Sequence, residues 1–131
     1  MRQFRFWNIL TLSLGIFFIG CAAKSKILPL HDEVLRFHLP YDLTYLRSTE
    51  ALERVEGWEL ESTEKERGII QVRNINYSSF DDADKRIATL WVKRIGPRET
   101  AVQLAPQSQT TLGGGELLER VSQYLDQELN K

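Results

Sequence analysis

Two segments of the chain carry apolar residues at the spacing of an amphipathic helix. In residues 42–57 the apolar stripe consists of Tyr45, Leu52 and Val55, with Leu46 beside it. In residues 116–129 it consists of Leu118, Val121, Leu125 and Leu129, with Leu117 and Tyr124 beside it. Asp42 is placed to cap the first helix and Gly57 to end it with a left-handed residue. The pattern therefore predicts two helices, each with one face directed at a core.

Other segments alternate between apolar and polar residues, or are apolar throughout, as strands do. They are residues 33–40, 58–66, 68–77, 86–95 and 100–106. A polar turn in which Gly68 can take a positive φ separates the second from the third, which predicts an antiparallel hairpin. Residues 86–95 are almost continuously apolar, which is typical of a central strand or one covered on both faces.

The predicted order of elements is β-α-β-β-β-β-α. Each helix has one apolar stripe, and each strand has one strongly apolar face. Packing both helices on one face of an antiparallel sheet buries all of these surfaces. The sequence therefore predicts a two-layer α+β fold, with four to five strands and two helices on one face, for residues 34–131.

The first residues have the composition of an export signal. Arg2 and Arg5 precede an uncharged, mostly apolar run from Trp7 to Gly20. This run is shorter than the roughly 20 residues that a membrane-spanning helix needs. We therefore expect residues 1–20 to be a signal peptide that is removed.

The chain's single cysteine stands directly after this run. Phe18-Ile19-Gly20-Cys21 resembles the lipobox of bacterial lipoproteins, although Phe18 occupies the position where leucine is usual. The resemblance implies cleavage between Gly20 and Cys21 and acylation of the Cys21 thiol. Acylation would also account for an exported thiol that cannot form an internal disulfide. The alternative is an unprocessed anchor helix with an inert cysteine at its end.

Residues 21–33 lack periodicity and follow the acylation site, so we expect a lipidated tether. The expected partner of the tether is a lipid bilayer, because each buried CH₂ of an acyl chain contributes about 0.8 kcal/mol. Ala22 follows Cys21, where an aspartate is typical of inner-membrane lipoproteins. This resemblance implies a place in the cell envelope, at the outer membrane and facing the periplasm.

Charge excludes one class of partner. Removal of residues 1–20 takes away two arginines and no acidic residue, so the net charge changes from −1 to about −3. A nucleic-acid groove needs an excess of basic residues, so nucleic acid is not an expected partner. The mature chain of about 110 residues suffices for one domain with one core.

The segments 41–61, 68–72, 102–108 and 113–125, with their turn glycines and the tryptophan after a helix stop, resemble small bacterial lipoprotein domains. Their order is similar to that of the helix-grip domains of BamC-type lipoproteins, over Val34 to Leu129. The matching residues are structural, so the resemblance implies a helix-grip-like fold and an envelope location rather than an activity.

The sequence offers no convincing catalytic or metal-binding constellation. His31 and His38 are the only histidines, too few for a zinc site by themselves, and we expect both to be solvated. The acidic loop lacks the spacing of a calcium-binding EF-hand; its members are Asp81, Asp82 and Asp84. Glu116 follows the glycines 113–115 and would repel phosphate, so this run is interpreted as a hinge or a helix start. We therefore expect no enzyme, no metal and no cofactor.

Two functions are compatible with these observations. The first is a non-enzymatic interaction or accessory module that contacts another envelope protein or peptidoglycan. Tyr41 and Tyr77 are its candidate contact residues. Trp58 and Trp91 are expected in the core. The second is a carrier or sensor of a small apolar ligand held between helix and sheet, in a cavity lined by Leu46, Leu52, Trp91 and Leu104.

Overall fold

A computed structural model describes residues 29–76 and 87–131. The elements, in chain order, are β1 (Leu35–Phe37), α1 (Tyr41–Glu53), β2 (Trp58–Glu64), β3 (Ile69–Asn74), β4 (Ile87–Gly96), β5 (Glu99–Leu104) and α2 (Gly114–Leu129). One 3-10 turn, Lys65–Arg67, joins β2 to β3, and another, Pro106–Ser108, follows β5. The predicted order β-α-β-β-β-β-α is confirmed for this part of the chain.

The strands form one open antiparallel sheet in the order β1-β5-β4-β3-β2. Its central strand is β4, as the continuous apolar run predicts. On β4, Leu90 pairs with Ile70 on one side and with Leu104 on the other. Because paired residues share a face, these three fully buried side chains form a stripe across the sheet.

Both helices cover that face. Leu52 of α1 and Leu117, Val121 and Leu125 of α2 are fully buried. They join the sheet residues in one hydrophobic cluster. Each such side chain contributes roughly 1.5–3 kcal/mol when it is fully removed from water. The two-layer α+β fold, with both helices on one side of the sheet, is therefore confirmed.

The other face of β4 points away from the helices. Trp91 lies on it, because its neighbours Leu90 and Val92 belong to the core and successive side chains alternate. The Lys93 Nζ lies 4.5 Å from the centroid of the Trp91 ring, and the indole is only partly buried. The expectation that Trp91 is a core residue is wrong, whereas Trp58 is buried in the core as predicted.

The first helix starts on a different residue from the one the sequence indicated. Pro40 occupies the N-cap position, and its carbonyl oxygen accepts bonds from the Thr44 backbone N–H and hydroxyl. Asp42 lies in the first turn and makes no capping bond, so that prediction is wrong. The helix ends at Glu53. The chain then turns through Gly57, which has the predicted left-handed conformation with φ of +83°.

Candidate functional site

The strand directions place two groups of residues at opposite ends of the sheet. We call the hairpin end the one formed by the start of α1, the turn Lys65–Arg67 and the last residues of β4. We call the tether end the one formed by residues 29–34, the end of β5 and the start of α2. The two ends differ in character, since charged residues dominate the first and exposed apolar residues the second.

A groove with a volume of about 640 Å³ opens at the hairpin end. We call it the hairpin groove. Its lining residues are Tyr41, Asp42, Lys65, Glu66, Arg67, Val92, Lys93 and Arg94. Basic side chains outnumber acidic ones among them, so the groove favours a polar partner that carries carboxylates or other oxygen acceptors.

Gly68 brings the turn Lys65–Arg67 against β4 and so forms one wall of the groove. The Val92 amide donates a 2.7 Å hydrogen bond to the Gly68 carbonyl oxygen. Gly68 has a φ of +66°, and a Cβ at this position would lie 2.1 Å from the Val92 carbonyl oxygen. Only glycine therefore fits this contact. The turn is also tied to α1, because the Tyr41 hydroxyl donates a hydrogen bond to the Lys65 carbonyl oxygen.

One ion pair crosses the groove. The Lys65 Nζ lies 2.9 Å from the Asp42 Oδ1. The hydrogen bond between them lowers the pKa of the Asp42 carboxyl and raises the pKa of the Lys65 ammonium. Burial raises the pKa of the Tyr41 phenol, against the opposing effect of the Arg94 guanidinium. At neutral pH the groove therefore presents a charged pair beside a neutral phenol.

Two further cations in the groove rest on aromatic rings. The Arg94 guanidinium carbon lies 5.3 Å from the Tyr41 ring centroid, and Lys93 covers Trp91. Neither cation forms an ion pair with a carboxylate in residues 29–76 or 87–131. Ring contact holds both side chains in place without neutralising them. Their charge is thus available to an incoming anionic or carbonyl group.

The structure places one of the predicted contact residues in this groove. Tyr41 is partly buried, with its ring 6.1 Å from that of Tyr45. Tyr77 and the proposed processing site, Gly20 and Cys21, lie outside the described residues. Sequence reasoning missed Lys93 and Arg94. The signal that could have found them is a pair of basic residues that interrupts the apolar run of β4 at its end.

The predicted ligand cavity does not form from the residues expected to line it. Leu52 and Leu104 are fully buried and belong to the packed cluster. Leu46 is 52% exposed, and Trp91 lies on the opposite face of the sheet. An open groove of about 470 Å³ instead runs between α1 and the edge strand β2. It is bordered by Asp42, Leu43, Tyr45, Leu46, Thr49, Thr63 and Lys65.

At the tether end, the expectation that His31 is solvated is wrong. The His31 amide donates a 2.8 Å hydrogen bond to the Gln109 carbonyl oxygen. The imidazole packs on the backbone of Gly115, and its Nδ1 lies 3.6 Å from the Glu33 Oε1. The end of the tether is thus part of the folded domain, whereas His38 is exposed as predicted.

The three consecutive glycines make this contact possible. Cβ atoms built on them would lie 3.1 Å from the Trp58 ring at Gly113, 2.9 Å from a Leu104 methyl at Gly114 and 2.5 Å from the His31 ring at Gly115. Gly113 is the N-cap of α2, with φ of +82°. The run is therefore a helix start, one of its two predicted roles, and it also lets three neighbours approach the backbone.

Residues 29–76 and 87–131 contain no group of three or more histidine, cysteine, aspartate or glutamate side chains placed to hold a metal. Within the same ranges, no helix has the length and apolar character that crossing a bilayer requires. The cluster of Asp81, Asp82 and Asp84 lies outside the described residues.

The chain matches no protein-family model, and a search among curated proteins returns no match.

Proposed function

We propose that this chain is a lipid-anchored protein of the cell envelope. In this role it acts as a non-enzymatic interaction or accessory module at the periplasmic face of the outer membrane. The lipobox-like stretch Phe18–Cys21 supports the anchor. The hairpin groove supports the interaction role, because its lining includes the Tyr41 ring together with Lys93 and Arg94, which form no ion pair among the described residues. Tyrosine and arginine are common in binding hot spots.

The observation that carries this proposal is the placement of the tether opposite the groove. The bond from His31 to Gln109 fixes the end of the tether beside the start of α2. About eight residues then separate Cys21 from Pro29, and a fully extended chain of that length spans roughly 26 Å. An acylated Cys21 would therefore hold the tether end near the bilayer and leave the groove facing the periplasm.

Site-specific crosslinking in intact cells tests the role of the groove. A photoreactive phenylalanine derivative at Glu66, an exposed residue of the groove, should yield one discrete crosslinked protein or a peptidoglycan adduct. The matched control is the same substitution at Glu119, an exposed position of α2. The proposal fails if position 66 gives no product, or the same products as position 119.

Binding to isolated peptidoglycan distinguishes the two expected kinds of partner. The purified lipoprotein in detergent is sedimented with sacculi, and the Arg94→Ala variant is compared with Arg120→Ala. Loss of sedimentation for Arg94→Ala alone would identify peptidoglycan as the partner. Equal sedimentation of both variants, together with a protein crosslink from position 66, would identify an envelope protein.

The apolar groove between α1 and β2 favours a second candidate, a carrier or sensor of a small apolar ligand. Leu43, Tyr45 and Leu46 give this groove an apolar lining, unlike that of the hairpin groove. A fluorescent apolar probe such as N-phenylnaphthylamine should bind there and be lost in Leu46→Glu. Leu129→Glu is the matched control, because Leu129 is also exposed but lies on α2. Binding that is equal in both variants, or absent in the wild type, would exclude this candidate.

A further inference from the structure

Exposed apolar side chains are concentrated at the tether end. Leu112 is 67% exposed, more than any other large hydrophobic residue of the described chain, and Leu30 is 58% exposed. Ile75, at the same end, is 53% exposed. We call these three residues the apolar end patch. Its exposure to water is unfavourable, which raises the question of what covers it.

Backbone contacts hold the patch together. Leu30 directly precedes His31, whose amide is bonded to the Gln109 carbonyl, so Leu30 lies beside the loop that carries Leu112. Ile75 is joined to the same region through its amide, which donates a 2.9 Å hydrogen bond to the Gly57 carbonyl. Trp58, which follows Gly57 in the chain, packs against Gly113. The patch is therefore a feature of the fold and does not depend on a free chain end.

The position of residues 21–29 indicates what would cover the apolar end patch. The segment that precedes the described domain leaves it at Pro29, directly beside Leu30. Cys21 lies about eight residues away, within roughly 26 Å when fully extended. Whatever holds the acyl chains of Cys21 is thus within reach of Leu30 and Leu112.

We propose that the tether end docks on the surface of a lipid bilayer through Leu30 and Leu112, with Ile75 beside them. The domain then stands on the membrane with the hairpin groove directed away from it. This inference rests on the proposed acylation of Cys21. The anchor makes docking intramolecular, so a few shallow apolar contacts suffice to set the orientation of the domain.

Charge contributes little to this docking. Lys24 and Lys26 lie between the anchor and the domain, whereas Asp32, Glu33 and Glu116 lie at its edge. These two basic and three acidic residues nearly offset one another, so neither anionic nor zwitterionic headgroups are strongly favoured. Docking should therefore change little between low and high salt, in contrast to docking through a polybasic segment.

Depth-dependent quenching in vesicles tests the proposal. Because Cys21 is the only cysteine and its thiol is consumed by acylation, one introduced cysteine can be labelled selectively. The acylated Leu112→Cys protein is labelled with bimane and reconstituted into vesicles of phosphatidylcholine with brominated acyl chains. The matched control is Ile95→Cys, a similarly exposed apolar position at the hairpin end.

Quenching of bimane at position 112 by roughly half is expected, because interfacial apolar groups reach about 5–10 Å into the headgroup and acyl boundary. Label at position 95 should show almost none. If the protein floats with the vesicles but quenching at position 112 is no greater than at position 95, the docking inference is overturned and the proposed anchoring is not. Failure to float, or a mass without acyl groups, would overturn the proposed anchoring and this inference with it.

The label at position 112 replaces one of the leucines proposed to dock, so a second pair of proteins carries the label at another position. Bimane is placed at Thr110→Cys, with Leu30 and Leu112 either unchanged or both replaced by asparagine. Quenching should fall by more than half in the double replacement while the circular dichroism spectrum stays the same. Unchanged quenching in the folded double variant would contradict docking through these leucines.

Discussion

The His31 ring lies so close to the backbone of Gly115 that a Cβ on this glycine would stand 2.5 Å from the His31 Cε1. Together with the hydrogen bond that the His31 amide donates to the Gln109 carbonyl oxygen, this contact attaches the last part of the tether to the start of α2. In the proposed anchored protein, this attachment would keep the tether end of the domain close to Cys21 and so orient the hairpin groove.

Replacing Gly115 by alanine should release the tether without unfolding the domain. The Cβ displaces the His31 ring, while alanine is the better helix former at this position of α2. We expect global stability to stay within about 1 kcal/mol of the wild type, because the two effects are small and opposed. Amide hydrogen exchange at residues 30–33 should increase by at least about tenfold as the local opening free energy falls. The double variant Gly115→Ala/His31→Ala separates displacement of the His31 ring from the change in helix propensity. Unchanged amide hydrogen exchange at residues 30–33 in Gly115→Ala would contradict the attachment of the tether to α2.

Replacing Gly68 by alanine should be far more damaging. The Cβ would meet the Val92 carbonyl oxygen, and the positive φ is unfavourable for any side chain. We expect a loss of at least about 2 kcal/mol in the free energy of unfolding, measured by urea denaturation. Gly96→Ala is the matched control, since its nearest neighbour would be the Glu99 Cβ at 3.7 Å. Equal stabilities of the two variants would show that the turn does not press on β4 as described.

Local pattern was sufficient to predict the sheet but not its outer surface. The hairpin around Gly68 and the central position of β4 follow from residue types that have one physical interpretation. Trp91 shows the limit. Trp58 stands in an alternating segment whose pattern marks the buried face, whereas Trp91 stands in a nearly continuous apolar run that does not. Only the register, in which Trp91 pairs with Gln103 and Ile69, places its side chain on the outer face.

Ser108 has a buried polar role that could not be read from the sequence. Its hydroxyl oxygen accepts a 2.9 Å hydrogen bond from the Thr89 amide, in a buried position. Ser108→Ala should cost about 1–3 kcal/mol, because it leaves a buried N–H without its acceptor. Urea denaturation measures the loss, with the partly exposed Ser122→Ala on α2 as the control. A Ser108 variant as stable as the control would mean that another acceptor replaces the hydroxyl.

The ion pair across the hairpin groove should make a pH-dependent contribution to stability. The pKa of Asp42 is lowered below its ordinary 3.8, chiefly by the hydrogen bond from Lys65. A lowered pKa stabilises the fold above pH 3.8, and this contribution disappears as the pH falls through the lower value of the folded protein. Asp42→Asn should therefore be slightly less stable than the wild type at neutral pH and equally stable in strong acid.

The size of this effect is small, because both partners are exposed and salt screens them. Denaturation midpoints of the wild type and Asp42→Asn are compared at neutral pH and in acid, each at low and high salt. A difference that is the same under all four conditions would point to a loss of helix stability at the first turn of α1 rather than of the ion pair.

The end of the tether and the hairpin groove are built from contacts between residues that are distant in sequence. The sequence predicts a solvated His31 at the end of a tether, whereas its hydrogen bond to Gln109 and its packing on Gly115 involve residues that are distant in sequence. Arg94 and Tyr41 likewise meet only because β4 ends beside the start of α1. Three adjacent glycines were the one local sign that other groups approach the backbone at this point.

The proposed anchor requires an acylated Cys21, and the mass of the mature N-terminus measures the chemical state of this residue. The chain is isolated from envelopes, digested, and its N-terminal peptide is analysed by mass spectrometry. We expect a peptide that begins at Cys21 and carries a diacylglyceryl group. A peptide in which Cys21 is internal, or in which its thiol reacts with iodoacetamide, would contradict the anchor and the orientation inferred from it.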